Sequence, residues 1–350
     1  MRISFVLPAP IRIPMGGAKV VYQHAARFAT QGHSVVVVMP MRTGNRLAGW
    51  VRHAAVQVRD RLHGVSASSY YEARGVQSLV VPSLNAKHVP FADIVIATGF
   101  QTAMGVVNLP KSHGTKVYYL QGLETFVHRG ARASWQYPMA RITCARWLAD
   151  EVEREGVDVL GVVPNAVDPA EFYEEVAPVH RGAQVAALYH RHPVKGPDVL
   201  IEALTHLREH RQDLEVDVFS ARPPSHTFPD GVRVHVRPSV PDVRALYNQA
   251  SILLHPSRSE GWGLVPMEAA ACGTAIVSSA NPGIAEFLTD GISVQCVPIG
   301  DGIALADAAL RLLGDPDARV RQAKAGQAAV ARFRLDELSD RFLNLLASLV

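Results

Sequence analysis

The sequence predicts an α/β protein of two doubly wound, Rossmann-like domains that face each other across a cleft. Short runs of Val, Ile and Leu without polar alternation indicate strands that are buried on both faces, as in a parallel sheet. These runs alternate with stretches of helical periodicity, which makes the sheets doubly wound. A length of 350 residues exceeds one typical hydrophobic core and therefore favours two domains.

The first half of the chain contains six predicted strands and a helix near its start. Helical spacing over 18–32 predicts that helix, and Gly32 is a natural end for it. The strands are predicted from the apolar runs at 2–7, 34–39, 78–81, 93–97, 116–120 and 159–163.

A junction at 164–182, with three prolines and an acidic cluster, separates this half from the next. The alternation of predicted strands and helices then resumes, with strands at 184–189, 214–220, 232–236, 251–255 and 274–279. Helices are predicted at 197–208, at 241–249, from Pro266 and at 301–315, with two more before the end. The expected domains are 1–168 and 169–333, followed by a helix at 334–350 that packs back on the first domain.

Composition and charge narrow the class of protein. A net charge of +3 and an isoelectric point near 8.8 suit an anionic small ligand or a membrane surface, and do not demand nucleic acid. The three cysteines are far apart and lack CxxC spacing, so we expect no disulfide framework and no zinc site, as in a reducing cytoplasm. The apolar start is too short for a signal peptide, and no run approaches bilayer-spanning length.

One stretch, SEGWGLVPMEAAACG at 259–273, carries the sharpest chemical signal. Its glutamates, Glu260 and Glu268, flank a Gly-Trp-Gly segment. Pro266 suits the first position of a helix and Gly273 suits its end, which places Glu260 in a loop and Glu268 in the first helical turn. A helix N-terminus favours phosphate. A carboxylate accepts hydrogen bonds from a vicinal diol, so this loop predicts a site for a sugar nucleotide.

The Glu-x7-Glu pattern within EGWGLVPMEAAACGTAIV closely resembles the retaining nucleotide-sugar glycosyltransferases of family 4, which have the GT-B fold. Further motifs follow in the family's order: IPMGGAKV resembles its glycine-rich loop, and ATQGHSVVVV resembles the junction of its first helix and second strand. VVPNAVDPAEF resembles the signature at the end of its first domain, and PVKGPDVLIEAL resembles its lysine-glycine motif. The resemblance covers nearly the whole chain, and it implies that 1–168 is the acceptor-side domain and 169–333 the nucleotide-sugar-binding domain.

The resemblance implies roles for the matching positions of the second domain. Glu268 would bind the ribose hydroxyls, and Glu260 would lie near the hydroxyls of the transferred sugar. Lys195 would contact the diphosphate, and the backbone amides of Gly263 and Leu264 would meet the phosphates and the sugar.

In the first domain, the resemblance implies that Gly16 and Gly17 complete the donor site, although the pair also fits an ordinary turn. Gln121 stands where many relatives carry a histidine that faces the donor sugar. Its amide can hydrogen-bond a hydroxyl group but cannot act as a base. Trp262, in the second domain, fits either core packing or a platform for the sugar.

The second phosphate cation departs from the family pattern. Where the family usually has an arginine five residues before the lysine, this chain has His190, and Arg191 lies one residue closer. Either side chain could serve. Arg191 stays charged at any working pH, whereas His190 does so only if its pKa is raised. His190 and His192 have no nearby carboxylate or cysteine partner, so we expect no metal there.

The expected mechanism needs no metal and no other cofactor. Lys195, with Arg191 or His190, would stabilise negative charge on the leaving diphosphate. The family implies that the acceptor hydroxyl attacks from the same face. A double displacement would instead need a carboxylate on the opposite face, for which Glu124 is the first-domain candidate. The sequence shows no Asp-x-Asp element of the kind that metal-dependent glycosyltransferases use.

The expected function is therefore transfer of a hexosyl or deoxyhexosyl group from a nucleoside-diphosphate sugar to a hydroxyl acceptor, with retention. The acceptor would be a sugar, a lipid-linked molecule or a small molecule, in the biosynthesis of cell-surface glycan, polysaccharide or glycoconjugate. A catalytically silent GT-B partner and a sugar-nucleotide epimerase are the alternatives. An NAD enzyme is disfavoured because PMGGAKV lacks the G-x-G-x-x-G spacing. The base, the sugar, the linkage and the oligomeric state stay open.

Clustered arginines in the first half allow a further contact. Five of them lie in 41–64 against a single aspartate, and two more follow: Arg42, Arg46, Arg52, Arg59, Arg61, Arg129 and Arg132. They fit a solvated face, an anionic membrane surface or a lipid-diphosphate acceptor. The expected location is the cytoplasm, with peripheral contact at the inner face of the membrane.

Overall fold

The computed structural model describes residues 1–41, 70–125 and 129–350. They form two compact units, Met1–Pro164 together with Leu335–Val350, and Asn165–Arg334. The division after Pro164 falls four residues before the expected boundary at 168, at the first residue of the junction.

The first unit contains a seven-stranded sheet in which every pairing is parallel. The strands lie in the order β3-β2-β1-β4-β5-β6-β7, so the winding reverses between β1 and β4. Their bounds are β1 Arg2–Val6, β2 Ser34–Pro40, β3 Val76–Val81, β4 Ile94–Ala97, β5 Thr115–Leu120, β6 Ala140–Thr143 and β7 Gly161–Val162. Three helices follow strands β1, β4 and β6: α1 Gly16–Thr30, α2 Phe100–Val107 and α3 Arg146–Arg154.

The second unit repeats this arrangement with six parallel strands in the order β10-β9-β8-β11-β12-β13. The strands are β8 Gln184–Leu188, β9 Glu215–Ser220, β10 Val232–Val236, β11 Ile252–His255, β12 Ala275–Ser279 and β13 Gln295–Val297. The helices are α4 Pro197–His210, α5 Val240–Gln249, α6 Leu264–Ala271, α7 Pro282–Ala285, α8 Gly302–Gly314 and α9 Pro316–Ala331. The predicted class of two doubly wound parallel sheets is confirmed.

The helix of the Glu-x7-Glu segment begins earlier than predicted. Gly263 precedes α6 with a φ of +111°, and the helix starts at Leu264 rather than at Pro266. Pro266 is therefore the third helical residue, where its missing N–H still costs no intrahelical bond. Glu268 consequently lies beyond the first turn, and the prediction for it was wrong by about half a turn. Gly273, at φ +76°, ends the helix as predicted.

Sequence patterns missed several shorter elements, namely β6, β13, α2, α3 and α7. Strand β6 carries Arg141, which interrupts the apolar run that signals a buried strand. In the fold, its guanidinium donates to the carbonyl oxygens of Trp135 and Tyr137, at 2.8 and 2.5 Å. Those bonds satisfy the charged group locally and allow the strand to pair inside the sheet.

The last helix, α10 (Leu335–Ala347), belongs to the first unit and packs against α1. Phe342 is fully buried, and its ring lies 6.1 Å from Phe5, 5.7 Å from Phe28 and 4.9 Å from Tyr119. Residues from the end of the chain thus complete the core beside its first strand.

None of the three cysteines forms a disulfide bond, and Cys144 and Cys272 are buried. In the described ranges, no helix combines the length and apolarity that crossing a bilayer requires.

Candidate functional site

A lysine–glutamate pair occupies the point where the second sheet reverses its winding. Lys195 follows β8 and Glu260 follows β11, and these two strands are neighbours in the sheet. Lys195 Nζ donates to Glu260 Oε2 at 2.6 Å. The lysine side chain is 33% exposed and the glutamate side chain 13% exposed, so Lys195 is the more solvent-accessible member of the pair. Doubly wound sheets bind ligands at this edge.

Glu260 is held as a carboxylate by its neighbours. Burial alone would raise the pKa of Glu260, but the charge of Lys195 and a hydrogen bond with His255 more than offset this effect, so the pKa lies well below its usual value. His255 Nε2 lies 3.2 Å from Glu260 Oε1, and Nδ1 of the same ring lies 3.0 Å from Ser278 Oγ. The carboxylate is therefore ionised and fixed in orientation.

A second ion pair fixes the loop that carries Lys195. Arg258 donates through both terminal nitrogens to Asp198, at 2.8 and 2.6 Å, and also to the carbonyl oxygen of Pro193 at 2.9 Å. Gly196 has a φ of +65°, and a Cβ there would lie 2.3 Å from the carbonyl oxygen of Pro256. Only glycine allows the two loops to approach this closely.

A second glycine supports the backbone of Glu260 itself. A Cβ on Gly283, in α7, would lie 2.7 Å from the carbonyl oxygen of Glu260 and 2.6 Å from that of Trp262. Asn281 caps this short helix and donates to the carbonyl oxygen of Ser257 at 3.2 Å. Helix α7 therefore packs directly against the backbone of the Glu260 loop.

The start of α6 lies just after this loop. Gly263, the N-cap residue, has no side chain with which to cap the backbone N–H groups of the first helical turn. Such N–H groups, at the positive end of a helix dipole, favour an anion. The two amide positions that the family resemblance implies, Gly263 and Leu264, thus stand at a helix N-terminus.

Glu268 is 9% exposed and lies on α6 beside two other buried groups. Burial raises the pKa of Tyr247, and the charge of Glu268 raises it further. The same two causes raise the pKa of the Cys272 thiol to about 12. The structure therefore places Glu268 next to Tyr247 and Cys272, whereas Glu260 lies next to Lys195 and His255.

Trp262 is a packing residue. It is 3% exposed, stacks on Phe287 with ring centroids 5.4 Å apart, and meets Phe333 edge to face at 5.2 Å. Its indole N–H points to the sulfur of Met267 at 3.0 Å. A ring covered on these sides offers no platform for a sugar, which decides between the two expectations for this residue.

The two candidates for the second cation differ in charge. The pKa of His190 is lowered, first by desolvation and then by the nearby ammonium of Lys195 and ring of His192, so the neutral imidazole predominates at neutral pH. Arg191 is exposed and donates to the carbonyl oxygen of Pro223 at 3.3 Å. The structure thus brings His190 close to Lys195 but favours its neutral form, while Arg191 keeps its charge.

In the first unit, Gly17 and Gln121 come together at the start of α1. The helix begins at Gly16, and its N-cap residue, Met15, makes no side-chain capping bond. A Cβ on Gly17 would lie 3.2 Å from Gln121 Oε1, which follows β5. Both features lie at the carboxyl edge of the first sheet.

Glu124 lies near them in an unusual backbone conformation. Its φ of +54° is in the left-handed region, which disfavours residues other than glycine. Its Oε2 accepts from the backbone N–H of Phe100 at 2.8 Å and from the Tyr118 hydroxyl at 3.0 Å. Burial raises the pKa of Glu124 to about 6, although both hydrogen bonds act in the opposite direction.

Only part of the arginine cluster lies within the described residues. The arginines of residues 42–69 and the side chain of Arg129 lie outside the described parts of the structure. Arg132 lies 2.5 Å from Glu155 and 3.5 Å from Glu151, so two carboxylates compensate its charge. This arginine does not contribute to an uncompensated basic surface.

Sequence patterns did not identify the supporting residues of the lysine–glutamate pair. His255, Arg258 and Asp198 are spread over three segments, and Gly283 resembles any helix-start glycine. His255 alone carried a weak sequence signal of a site residue, because it is a polar residue at the end of the apolar run of β11. The pairing of Arg258 with Asp198 depends on the order of the strands, which no local pattern contains.

Comparisons with known proteins fit this geometry. Residues 181–315 match the family described as Glycosyl transferases group 1. The chain is similar to solved structures over nearly its full length. One of them is HepE of Anabaena in complex with UDP-glucose, with a TM-score of 0.74, 16% identity and 100% of each chain covered. It is also similar to sucrose-phosphate synthase from Thermosynechococcus elongatus, with a TM-score of 0.74, 15% identity and 99% of this chain and 98% of that chain covered.

Curated relatives match over a shorter length. A D-inositol 3-phosphate glycosyltransferase of Xylanimonas cellulosilytica is 35% identical over 164 residues, which cover 44% of this chain and 39% of the relative. The lipopolysaccharide core biosynthesis mannosyltransferase LpcC of Rhizobium leguminosarum bv. viciae is 29% identical over 176 residues, 44% of this chain and 50% of LpcC. The matches thus span half the length of these relatives or less.

The fold is that of the GT-B glycosyltransferases, as its solved neighbours show. The match of residues 181–315, which carry the lysine–glutamate pair, to the glycosyl transferases group 1 family agrees with the resemblance to family 4.

Proposed function

We propose that this protein transfers a hexosyl or deoxyhexosyl group from a nucleoside-diphosphate sugar to a hydroxyl acceptor, with retention of anomeric configuration. The observation that carries the proposal is the Lys195–Glu260 pair at the carboxyl edge of β8 and β11. Its position within a glycosyl transferases group 1 domain, and a neighbour solved with UDP-glucose, support a sugar nucleotide as the donor.

Each residue has a proposed task in this reaction. Lys195, whose ammonium keeps two N–H groups beyond the one given to Glu260, neutralises the leaving diphosphate together with Arg191. The N-terminus of α6, at Gly263 and Leu264, binds a phosphate or sugar oxygen. Glu260, ionised and fixed, accepts hydrogen bonds from the hydroxyls of the transferred sugar.

The remaining tasks follow the family resemblance. Glu268 binds the ribose, and Gly16, Gly17 and Gln121 bind the donor sugar and its phosphates. His190, in its neutral form, contributes a hydrogen bond rather than a charge. The leaving phosphate takes the proton of the acceptor hydroxyl, so the scheme requires no metal ion. Unchanged turnover after treatment with EDTA would agree with this part of the proposal.

The first experiment is a thermal-shift panel with UDP, GDP, ADP, dTDP and NAD. A ligand that binds only the native state raises the melting temperature with its excess over Kd. We expect one nucleoside diphosphate to raise it, and we expect the Glu268→Ala and Lys195→Ala variants to lose the shift. Lys324→Ala, an exposed lysine on α9, is the matched control. A shift with NAD alone would overturn the proposal.

The second experiment follows the anomeric proton of the product by NMR, with the sugar nucleotide of the selected base. Retention gives the configuration of the donor, and inversion would contradict the proposed mechanism. Sugar release without acceptor would identify a hydrolase, and isomerised donor an epimerase. Nucleotide binding without turnover of any donor would identify a silent partner.

The acceptor and the location belong to the same proposal. We propose a sugar, lipid-linked or small-molecule acceptor in the biosynthesis of cell-surface glycan, polysaccharide or glycoconjugate, at the cytoplasmic face of a membrane. The basic segment at 41–64 supports the membrane contact. Sedimentation with anionic liposomes at low salt tests it, and protein that stays in the supernatant would rule it out.

A further inference from the structure

A cluster of metal-ligating side chains lies at the far end of α4 from Lys195. His206, Glu209 and His210 are spaced i, i+3 and i+4, so they share one face of the helix. One ligand atom from each residue lies within 4.8 Å of the other two. At 1.5 Å per residue, the cluster is about 15–20 Å along the axis from the start of α4, so it is distinct from the proposed donor site.

Both imidazole rings are already oriented through one of their nitrogens. His206 Nε2 lies 2.9 Å from Asp307 Oδ1 on α8, and His210 Nδ1 lies 2.8 Å from the carbonyl oxygen of His206. The ring centroids are 4.1 Å apart. Histidines that bind metals commonly donate their second N–H to a carboxylate or a backbone carbonyl. The other nitrogens, Nδ1 of His206 and Nε2 of His210, are the ones that would bind an ion.

The electrostatic surroundings also favour a cation. The cluster lies in the last turn of α4, at the negative end of the helix dipole. The neighbouring arginines are engaged elsewhere: Arg208 donates to the carbonyl oxygens of Asp230 and Leu214, and Arg211 pairs with Asp213. Their guanidinium groups are therefore directed away from the cluster.

We propose that His206, Glu209 and His210 bind a divalent transition-metal ion of the zinc type, with Asp307 as the residue that orients His206. Two imidazoles and a carboxylate are a common zinc donor set, and water supplies the fourth ligand. Because Asp307 belongs to α8, the ion links the end of α4 to that helix. This site does not depend on the proposed transferase reaction.

The test is a calorimetric titration of the tag-free full chain with zinc sulfate. We expect one zinc ion per chain for the wild type and a melting temperature that rises with zinc concentration. In His206→Ala/His210→Ala both effects disappear. His210→Ala alone removes only an exposed ring, so its fold is not at risk, and its zinc affinity falls at least about tenfold.

Two further variants sharpen the result. Asp307→Asn keeps every proposed ligand and weakens binding by about 10- to 100-fold if Asp307 orients His206. His190→Ala/His192→Ala is the matched control, because these rings are 6.4 Å apart and belong to a loop. We expect it to bind zinc like the wild type. A wild type without stoichiometric zinc, an unchanged His206→Ala/His210→Ala variant, or a control that loses zinc would overturn the proposal.

Discussion

At the scale of single residues, two carboxylates carry opposite pKa shifts. Both Glu260 and Glu124 are largely buried, and burial raises the pKa of a carboxyl group. Glu260 faces the ammonium of Lys195, which more than reverses the effect. Among the described residues, the donors to Glu124 are the neutral N–H of Phe100 and the neutral hydroxyl of Tyr118, so burial prevails. The nature of the nearest donor therefore decides the direction of each pKa shift.

The Lys195–Glu260 pair predicts coupled effects on stability. Lys195→Ala leaves a carboxylate that is 13% exposed without its main cation, so we expect a loss of about 1–2 kcal/mol, reduced by the partial exposure of Lys195. Adding Glu260→Gln should restore most of this loss. Urea unfolding of both single variants and the double variant measures the coupling, and strictly additive changes would contradict it.

The same pair predicts a catalytic effect. If Lys195 stabilises charge on the leaving diphosphate, Lys195→Ala lowers kcat by about 10²–10³-fold, the usual cost of one preorganised electrostatic donor. Lys324→Ala should leave kcat unchanged. Steady-state kinetics with the selected sugar nucleotide give the comparison, and near-normal turnover in Lys195→Ala would exclude the role.

Glu124 predicts a pH-dependent stability. Its pKa is about 6 in the fold against an ordinary 4.5, so the folded state binds the proton more tightly. Its contribution is fully present below pH 4.5 and is lost as the pH rises through 6. A shift of about 1.5 units corresponds to about 2 kcal/mol. Glu124→Gln, which cannot ionise, should therefore gain up to about 2 kcal/mol relative to the wild type above pH 6.

The measurement is the difference in unfolding free energy between Glu124→Gln and the wild type at several pH values. A difference that grows between pH 4.5 and 6 and is then constant supports the shift. A flat difference across this range would show that the pKa of Glu124 is ordinary.

At the scale of elements, loops after two neighbouring strands build the lysine–glutamate pair, and the helices behind them hold it. Arg258 ties the Glu260 loop to the start of α4, and Gly283 lets α7 press against its backbone. The site is therefore as rigid as the contacts between these elements, and its geometry is sensitive to changes that add volume between them.

Gly283→Ala tests this support. Its Cβ would lie 2.6–2.7 Å from two carbonyl oxygens, so the Glu260 loop must shift, with a loss of about 1–3 kcal/mol and weaker nucleotide binding. Gly314→Ala is the matched control, because a Cβ there meets nothing within 4 Å. Thermal unfolding with and without the selected nucleotide compares them. Equal behaviour of the two variants would refute the proposed support.

At the scale of the whole molecule, the first unit is not one continuous segment of the chain. The last helix, α10, belongs to the first unit, although the second unit precedes it in sequence. Phe342 brings a large apolar surface into the core beside Phe5 and Phe28, and Ser339 Oγ lies 2.9 Å from Nδ1 of the buried His24. The first unit therefore needs residues from both ends of the chain.

Phe342→Ala should destabilise the first unit selectively. Removing a fully buried phenylalanine costs about 3–5 kcal/mol, while the second unit keeps its own core. Hydrogen exchange should lose protection in α1 and β1 but not in α4 or β8. Asn344→Ala, an exposed position on the same helix, should leave exchange unchanged. Equal loss of protection in both units would contradict this assignment.

The sequence alone determined the parallel sheets and the motif at 259–273, because both are local. Uninterrupted apolar runs identify buried strands, and closely spaced glycines and carboxylates identify a ligand loop. The strand β6 was missed because Arg141 interrupts its apolar pattern. The start of α6 was misplaced because the helix begins at Leu264, directly after Gly263, and not at the expected Pro266.

Only the tertiary structure decided the rest. The pairing of Lys195 with Glu260, the close approach at Gly283, the burial of Trp262 and the raised pKa of Glu124 all depend on which strands are neighbours. Strand order follows from packing between distant segments, and charge states follow from the burial that this packing creates. Neither is encoded in the spacing of residues along the chain, so both appear only once the chain is folded.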